Sequence, residues 1–322
     1  MEKCRTEFRK LTVEDLAPFA KFYNLRPNLT ADSVPLESFL WKNYYNAKVA
    51  EVFRDGEEIG LLWLYELAGE PFAAMPLCSP SDLPLCFGEI QTYFNEVLKK
   101  PLLIKLADEG ALEILNLDPE QYLVREEEDM KDYLYDGESL RTLSGRKLHK
   151  KKNHYNSFLK NFEGRWMYRA LTTEDRGSVY RCLEAWRENK GEEVEHHMDP
   201  EVEGIHDILN NLGRLEVKMG GIFIDGEMQA FTMGSLNRAE NMAVIHIEKA
   251  NPEIDGLYQV INREFLNGAF PEVKLVNRED DLGLPGLRQS KLSYNPCGYA
   301  RKYLVYQKNF AGAEGEAPSE CV

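Results

Sequence analysis

The sequence offers little that would mark it for an oxidising compartment, a membrane or a metal. Its six cysteines (Cys4, Cys78, Cys86, Cys182, Cys297 and Cys321) form no C-x-x-C pair and no metal-ligand spacing, so scattered free thiols and no bound metal are expected. Free thiols fit a reducing cytoplasm, the expected location. No uninterrupted apolar run approaches the roughly 18–20 residues of a membrane span, and the opening MEKCRTEFRKLTVEDL lacks the apolar core of a secretory signal. There is no P-loop and no recognisable nucleophile–His–Asp pattern. Basic residues are in deficit, 39 Lys+Arg against 54 Asp+Glu for a net charge of −15. That excludes a protein that coats nucleic acid nonspecifically, though a local basic patch can still bind RNA. What is present, 43% hydrophobic and 29% charged residues over 322 positions, describes a soluble globular chain of one large or two ordinary domains. Residues 311–322, AGAEGEAPSECV, have the composition of a disordered tail.

Residues 242–265, MAVIHIEKANPEIDGLYQVINREF, organise the rest. A β-branched run from Ala243 to Glu248 reads as a buried strand. A loop with Pro252, Glu253, Asp255 and Gly256 follows, then Leu257, Val260, Ile261, Phe265 and Leu266 at helical spacing. Alternation puts His246 and Glu248 on one face of the strand. A strand entering a helix N-terminus leaves backbone N–H groups free for an anion. The same unit also serves as a plain structural corner.

Two stretches recur. Arg9, Leu11, Thr12, Glu14 and Asp15 return as Arg169, Leu171, Thr172, Glu174 and Asp175, a shift of 160 residues, each resembling a capping box that opens a helix. Phe53, Asp55, Gly56 and Glu57 return as Phe223, Asp225, Gly226 and Glu227, a shift of 170, each a hairpin on an Asp-Gly turn. Two matches in the same order at nearly one offset indicate a tandem duplication of an α/β unit. Further strands are expected at 101–106, 273–276 and 299–307, with a short helix at 284–292. Between the copies the charge changes sign. Residues 126–138 are acidic, and 141–165 carry eight basic residues around an apolar stripe of Leu148, Tyr155, Phe158, Leu159 and Phe162. This reads as a solvated amphipathic helix, with Arg146, Lys147, Lys150, Lys151 and Lys152 placed to meet RNA phosphates if it binds nucleic acid. His196-His197, between acidic neighbours, reads as a solvated loop.

Strand–helix, hairpin, strand–Gly loop–helix, strand–helix–strand is the element order of a GNAT (acyl-CoA N-acyltransferase) domain, and two copies resemble a tandem-GNAT protein. The chain more closely resembles the phosphatidylglycerol lysyltransferase C-terminal-domain family, related in architecture to the Fem-type aminoacyltransferases. The resemblance lies in Leu143-Ser144-Gly145-Arg146-Lys147-Leu148 through Asn153-His154-Tyr155-Asn156-x-Phe158, in His246-Ile247-Glu248-Lys249-Ala250, and in Asn277-Arg278-Glu279-Asp280-Asp281-Leu282-Gly283 through Gly286-Leu287-Arg288-x-x-Lys291-x-Ser293-Tyr294-x-Pro296.

It implies an α/β fold of two GNAT-like domains with mixed central sheets flanked by helices, at 1–123 and 166–310, joined by a basic helical segment at 124–165. It also implies an acyl- or aminoacyltransferase acting on an amine or hydroxyl, with a small-molecule or lipid-headgroup acceptor and its cleft in the C-terminal copy. The donor is then acyl-coenzyme A or aminoacyl-tRNA. In GNAT enzymes the pyrophosphate of coenzyme A sits on the Gly loop, here Gly256, Leu257 and Tyr258, and Glu253 and Tyr258 depart from the usual pattern there. Glu248 is the expected base, His246 its alternate, near neutral in pKa, and Tyr294 the expected acid. Asn277 is placed to touch the donor, and Arg288 and Lys291, three apart on a helix, can grip a phosphate or carboxylate together. Asp280 and Asp281 read as a helix-start cap. A noncatalytic binding protein that keeps the fold is the competing reading.

Overall fold

A computed structural model describes residues 6–189, 200–308 and 310; Cys4, His196, His197, Cys321 and the tail fall outside them. The chain divides into two compact units, Met1–Lys131 with Ala300–Val322, and Asp132–Tyr299.

The first unit runs β1 (Arg9–Lys10), α1 (Val13–Tyr23), α2 (Pro35–Leu40), β2 (Lys48–Arg54), β3 (Glu57–Leu67), β4 (Glu70–Ala73), β5 (Leu77–Cys78), α3 (Leu83–Thr92), β6 (Leu103–Asp108), α4 (Glu109–Leu115) and β7 (Tyr122–Glu126). The second runs β8 (Asp132–Asp136), α5 (Gly137–Thr142), α6 (His149–Asn161), β9 (Trp166–Ala170), α7 (Arg176–Asn189), α8 (Pro200–Asn210), β10 (Lys218–Ile224), β11 (Glu227–Asn237), β12 (Met242–Ala250), α9 (Leu257–Ala269), β13 (Leu275–Asn277), α10 (Pro285–Leu292) and β14 (Gly298–Ala300). A last strand, β15 (Lys302–Gln307), belongs to the first sheet. The sheet orders are β1-β2-β3-β4-β6-β15-β7, with β5 beside β3, and β14-β8-β13-β12-β11-β10-β9.

The duplication is visible in matched devices. Capping boxes form at Thr12/Asp15 and at Thr172/Asp175. The repeated arginines bond the repeated aspartates, Arg9 to Asp15 at 2.7 Å and Arg169 to Asp175 at 2.5 Å. Both Asp-Gly turns place both residues at positive φ. Asp55 (55°) and Gly56 (83°) between β2 and β3 are matched by Asp225 (51°) and Gly226 (88°) between β10 and β11. The register slips at the same step in each hairpin, Val52/Phe53 and Ile222/Phe223.

The expected domain limits at 123, 165 and 310 differ from these units. Residues 132–136, expected in a helical connector, are the strand β8 between β14 and β13. The strand expected at 299–307 divides at Arg301, β14 lying in the second sheet and β15 between β6 and β7 in the first. Strands are placed by edge pairing and burial, and Leu304 and Val305 of β15 are fully buried beside β6 and β7. The basic segment is also shorter as a helix. Leu143 (φ 48°) and Gly145 (φ 89°) separate α5 from α6.

Candidate active site

In the second unit β12 and β13 run parallel for three residue pairs, ending at Val244↔Asn277. Past that pair the two chains part, and the opening is lined by the rest of β12 and by the loop after β13. β12 also bulges, because Met233 pairs with Ile247 while Gly234 pairs with Ile245, so His246 has no partner in the register. The bulge reverses the alternation. Ala243 and Ile245 pack with Phe265 and Leu266 of α9, yet so does Ala250 with Leu257 and Val260. His246 and Glu248 therefore lie on opposite faces, not on one face as simple alternation predicts.

On the α9 face Glu248 is held at both oxygens, by Arg278 Nη2 at 2.8 Å and by Asn262 Nδ2 at 2.9 Å. The Arg278 guanidinium lies 4.7 Å from the centre of the Tyr294 ring. Burial by itself would lower the Arg278 pKa; the Glu248 charge and the nearby Tyr294 and Tyr135 outweigh it and raise the pKa. Tyr294 is buried, its hydroxyl accepts from Gln259 at 3.3 Å, and burial pushes its pKa up to about 12. Lys151 reaches the same ring from α6, its Nζ 4.1 Å from the centroid. Its pKa is lowered, first by burial and then by the Arg278 charge, against the pull of Glu248.

On the other face the His246 side chain is fully buried between two partners. Nε2 meets Ser235 Oγ at 2.7 Å and Nδ1 meets Glu279 Oε1 at 2.9 Å. Glu279 sits at φ 59°, a left-handed backbone that disfavours side chains other than glycine. It is fixed there by its N–H donating to Asn277 Oδ1 at 2.7 Å and by its carbonyl accepting from Tyr133 N at 3.1 Å. Serine, histidine and glutamate thus form one hydrogen-bonded chain, the order of groups found where a hydroxyl is deprotonated. Ser235 carries no local sequence signal; Glu279 stands in the Asn277–Gly283 stretch but has no role assigned there, and the two lie 11 and 33 residues from His246.

The remaining expected residues are mostly engaged within the fold. Asn277 is buried and donates to Asp132 at 3.0 Å. Arg288 grips Asp281 with Nε at 2.9 Å and Nη2 at 2.8 Å, so Arg288 and Lys291 do not form an open pair. Lys291 donates to the carbonyls of Arg278 and Asp280, its pKa lowered by burial. These bonds brace the loop that delivers Arg278 and Glu279. Asp280 and Asp281 accept from Leu282 N and Gly283 N, the turn that leads into α10. Gly256 (φ 82°) precedes α9, and a Cβ there would lie 2.4 Å from the His154 carbonyl oxygen and 3.1 Å from Phe158 Cβ. Leu257 is buried, and Tyr258 accepts from Trp186 Nε1 at 3.2 Å. Of the basic residues, Arg146, Lys147, Lys150 and Lys152 are exposed, whereas Lys151 turns to Tyr294. A cavity of about 330 Å³ lies elsewhere in this unit, between α7 and the β10–β11 turn.

The family model for "Phosphatidylglycerol lysyltransferase, C-terminal" matches residues 38–306. The chain belongs to that family. Among solved structures this family member is similar to a conserved protein of unknown function from Bacteroides thetaiotaomicron (TM-score 0.84, 25% identity, 94% of this chain and 100% of that one). It is also similar to L-PGS from Bacillus licheniformis (0.65, 14%, 93% of each chain) and to FemX (0.60, 12%, 94% and 98%). Among curated proteins an uncharacterised protein of Mycoplasmoides gallisepticum is 27% identical over 179 residues, and the match spans about half of that relative's length, 56%. The fold is that of tandem GNAT-like proteins. No helix among the described residues is long and apolar enough to cross a membrane.

The fold family also implies coenzyme A, and the Gly loop of this family member does not fit its pyrophosphate. The approach to Gly256 is taken by the α6 backbone, and Asp255 bonds His154 Nδ1 at 2.8 Å. The missing side chain at this glycine permits a close crossing of α6.

Proposed function

We propose that the second unit transfers an aminoacyl or acyl group from an ester donor to an amine or hydroxyl, and that the donor is aminoacyl-tRNA in preference to acyl-coenzyme A. The Ser235–His246–Glu279 chain carries the reading. A buried histidine hydrogen-bonded to both a hydroxyl and a carboxylate is equipped to move protons, and the left-handed Glu279 is strain of the kind that collects at working sites. This favours catalysis over a noncatalytic binding protein. As the acceptor attacks the ester carbonyl, its proton passes to His246 through Ser235, and the leaving oxygen takes a proton back. That proton comes from His246; Tyr294, kept protonated by burial, lies on the opposite face with Arg278 and takes no proton in this transfer. Both Glu248 oxygens are already committed to donors, so Glu248 orients Arg278 in this scheme. The exposed Arg146, Lys147, Lys150 and Lys152 supply contacts for RNA phosphates, and the family relation favours a lipid headgroup as acceptor.

The test uses total tRNA charged with radiolabelled amino acids, with phosphatidylglycerol vesicles or hydroxylamine as acceptor. Loss of a positioned proton-transfer group lowers turnover by about 10²–10⁴-fold, so His246→Gln and Glu279→Gln are expected to lose at least about a hundredfold while melting close to the parent. Variant rates within about threefold of the parent, less than 1 kcal/mol of barrier, refute the proton-transfer role. A parent protein that transfers no amino acid to either acceptor refutes the donor assignment.

A further inference from the structure

The cavity of about 330 Å³ between α7 and the β10–β11 turn lies where the two copies of the duplication differ. In the first copy Lys21 of α1 reaches Glu58 of the β2–β3 hairpin at 2.7 Å, and the buried Phe22 ring lies 4.6 Å from the same ammonium. At the shift of 160 these α1 residues become Arg181 and Cys182, and at the shift of 170 Glu58 becomes Met228. The hairpins correspond in register, since Phe53 pairs with Glu58 and Phe223 with Met228. The change from Phe to Cys removes a ring from under the helix. The change from Glu to Met removes the counter-charge that draws the helix cation onto the hairpin. The residue that each bulge skips differs as well: Ile59 is buried in the first core, whereas Gln229 lines the cavity.

Polar groups lining this cavity are uncommitted. Arg181 gives Nη2 to Ser178 Oγ at 3.1 Å, and neither Arg181 nor Glu227 has an ion pair among the described residues. The other acid of that turn, Asp225, is taken by Arg165. Gln229 Oε1 accepts from Asn251 Nδ2 at 3.1 Å, while Gln229 Nε2 has no acceptor among the described residues. Trp186 gives Nε1 to Tyr258 at 3.2 Å, so its ring offers the cavity apolar surface. Met228 and Cys182 add to that surface, the thiol being kept neutral because burial pushes its pKa up to about 12. We propose that this cavity binds a free α-amino acid with an apolar side chain. The carboxylate receives Arg181 and Gln229 Nε2, the ammonium meets Glu227, and the side chain lies against Trp186, Met228 and Cys182. A simple anion would face the unpaired Glu227 and a simple cation the unpaired Arg181, whereas a zwitterion satisfies both. The volume stands near the lower end of small-ligand sites, about 300–1,000 Å³. Ser235, His246 and Glu279 do not line it, so binding here is independent of the transfer reading.

The native protein is titrated calorimetrically with L-leucine, L-methionine and L-phenylalanine at millimolar concentration. Each is compared with its N-acetyl derivative, which lacks the ammonium, and its amide, which lacks the carboxylate. Saturable binding of at least one free amino acid is the expected result. Loss of one charge-assisted partner lowers affinity by about tenfold or more, so both derivatives should bind that much more weakly than their parent. Arg181→Gln and Glu227→Gln, changes at exposed positions, should weaken the amino acid by a similar factor without lowering the melting temperature. Met228→Glu restores the acid that the first copy sets against its helix cation and should abolish binding by engaging Arg181. If that variant does not fold, the two exposed variants decide the matter. No binding of any of the three amino acids, derivatives that bind as tightly as their parents, or unchanged affinity in either exposed variant overturns the proposal.

Discussion

Gly256→Ala separates two uses of one glycine. If the residue is there for the crossing of α6 over the start of α9, a methyl group meets the His154 carbonyl oxygen at 2.4 Å, its carbon at 3.0 Å and Phe158 Cβ at 3.1 Å. Two of these are backbone atoms, so the relief must come from moving a helix. The left-handed backbone alone costs an alanine about 1–2 kcal/mol. Overpacking against the helix adds about 1–3 kcal/mol. Gly226→Ala is the matched control, since Gly226 is also at positive φ, 88°, and a methyl carbon added there would have nothing within 4 Å. The difference between the two variants isolates the steric part. At about 3 °C per kcal/mol for a unit of this size, Gly256→Ala should melt roughly 3–9 °C below Gly226→Ala. Hydrogen exchange should quicken in α6 and α9 in the first variant and near the β10–β11 turn in the second. Equal melting temperatures, with α6 exchange unchanged, would refute the claim that the glycine is a packing device and would reopen the loop to a pyrophosphate.

Acid should loosen the loop that delivers Arg278 and Glu279. Arg288 and further hydrogen bonds hold the Asp281 carboxyl at about 2, below its usual value, despite burial. A lowered folded-state pKa stabilises above the unfolded pKa and is lost as pH falls through about 4 toward 2. With Arg288 itself 41% exposed, the contribution is about 1–2 kcal/mol after allowance for solvent screening. Urea midpoints of Asp281→Asn should therefore fall below the parent at pH 6 and converge on it near pH 2; parallel pH profiles would refute this. For RNA, replacing Arg146, Lys147, Lys150 and Lys152 by Gln should weaken tRNA binding and flatten its salt dependence by up to about 0.7–0.9 for each phosphate no longer neutralised. Unchanged affinity and slope in filter binding would remove the basic face as an RNA contact.

Features legible in the sequence are those set by neighbours along the chain. Thr12 and Asp15, or Asp225 and Gly226, act within four residues, so local geometry dictates a cap or a turn whatever surrounds it. The repeat was readable for the same reason, and the strand–loop–helix around Gly256 from its periodicity. The roles of individual residues were less so. Alternation placed His246 with Glu248, and a bulge set by pairing to β11 moved them to opposite faces. Arg288 and Lys291 looked like a ligand grip because their spacing is right, but Asp281 and two backbone carbonyls, met only on folding, already use them. Ser235 became visible only as a partner of His246, and the roles of Glu279 and Arg278, which stand in the Asn277–Gly283 stretch, emerged only from their bonds to His246 and Glu248.

The sequence by itself determined the doubled α/β unit, its caps and turns, and the family. The tertiary structure decided which strand completes which sheet and which side chains meet in the opening beside β12. Such choices depend on edge pairing and burial between residues far apart in the chain, as with Asp132 and Asn277, 145 positions apart, and no local pattern encodes them.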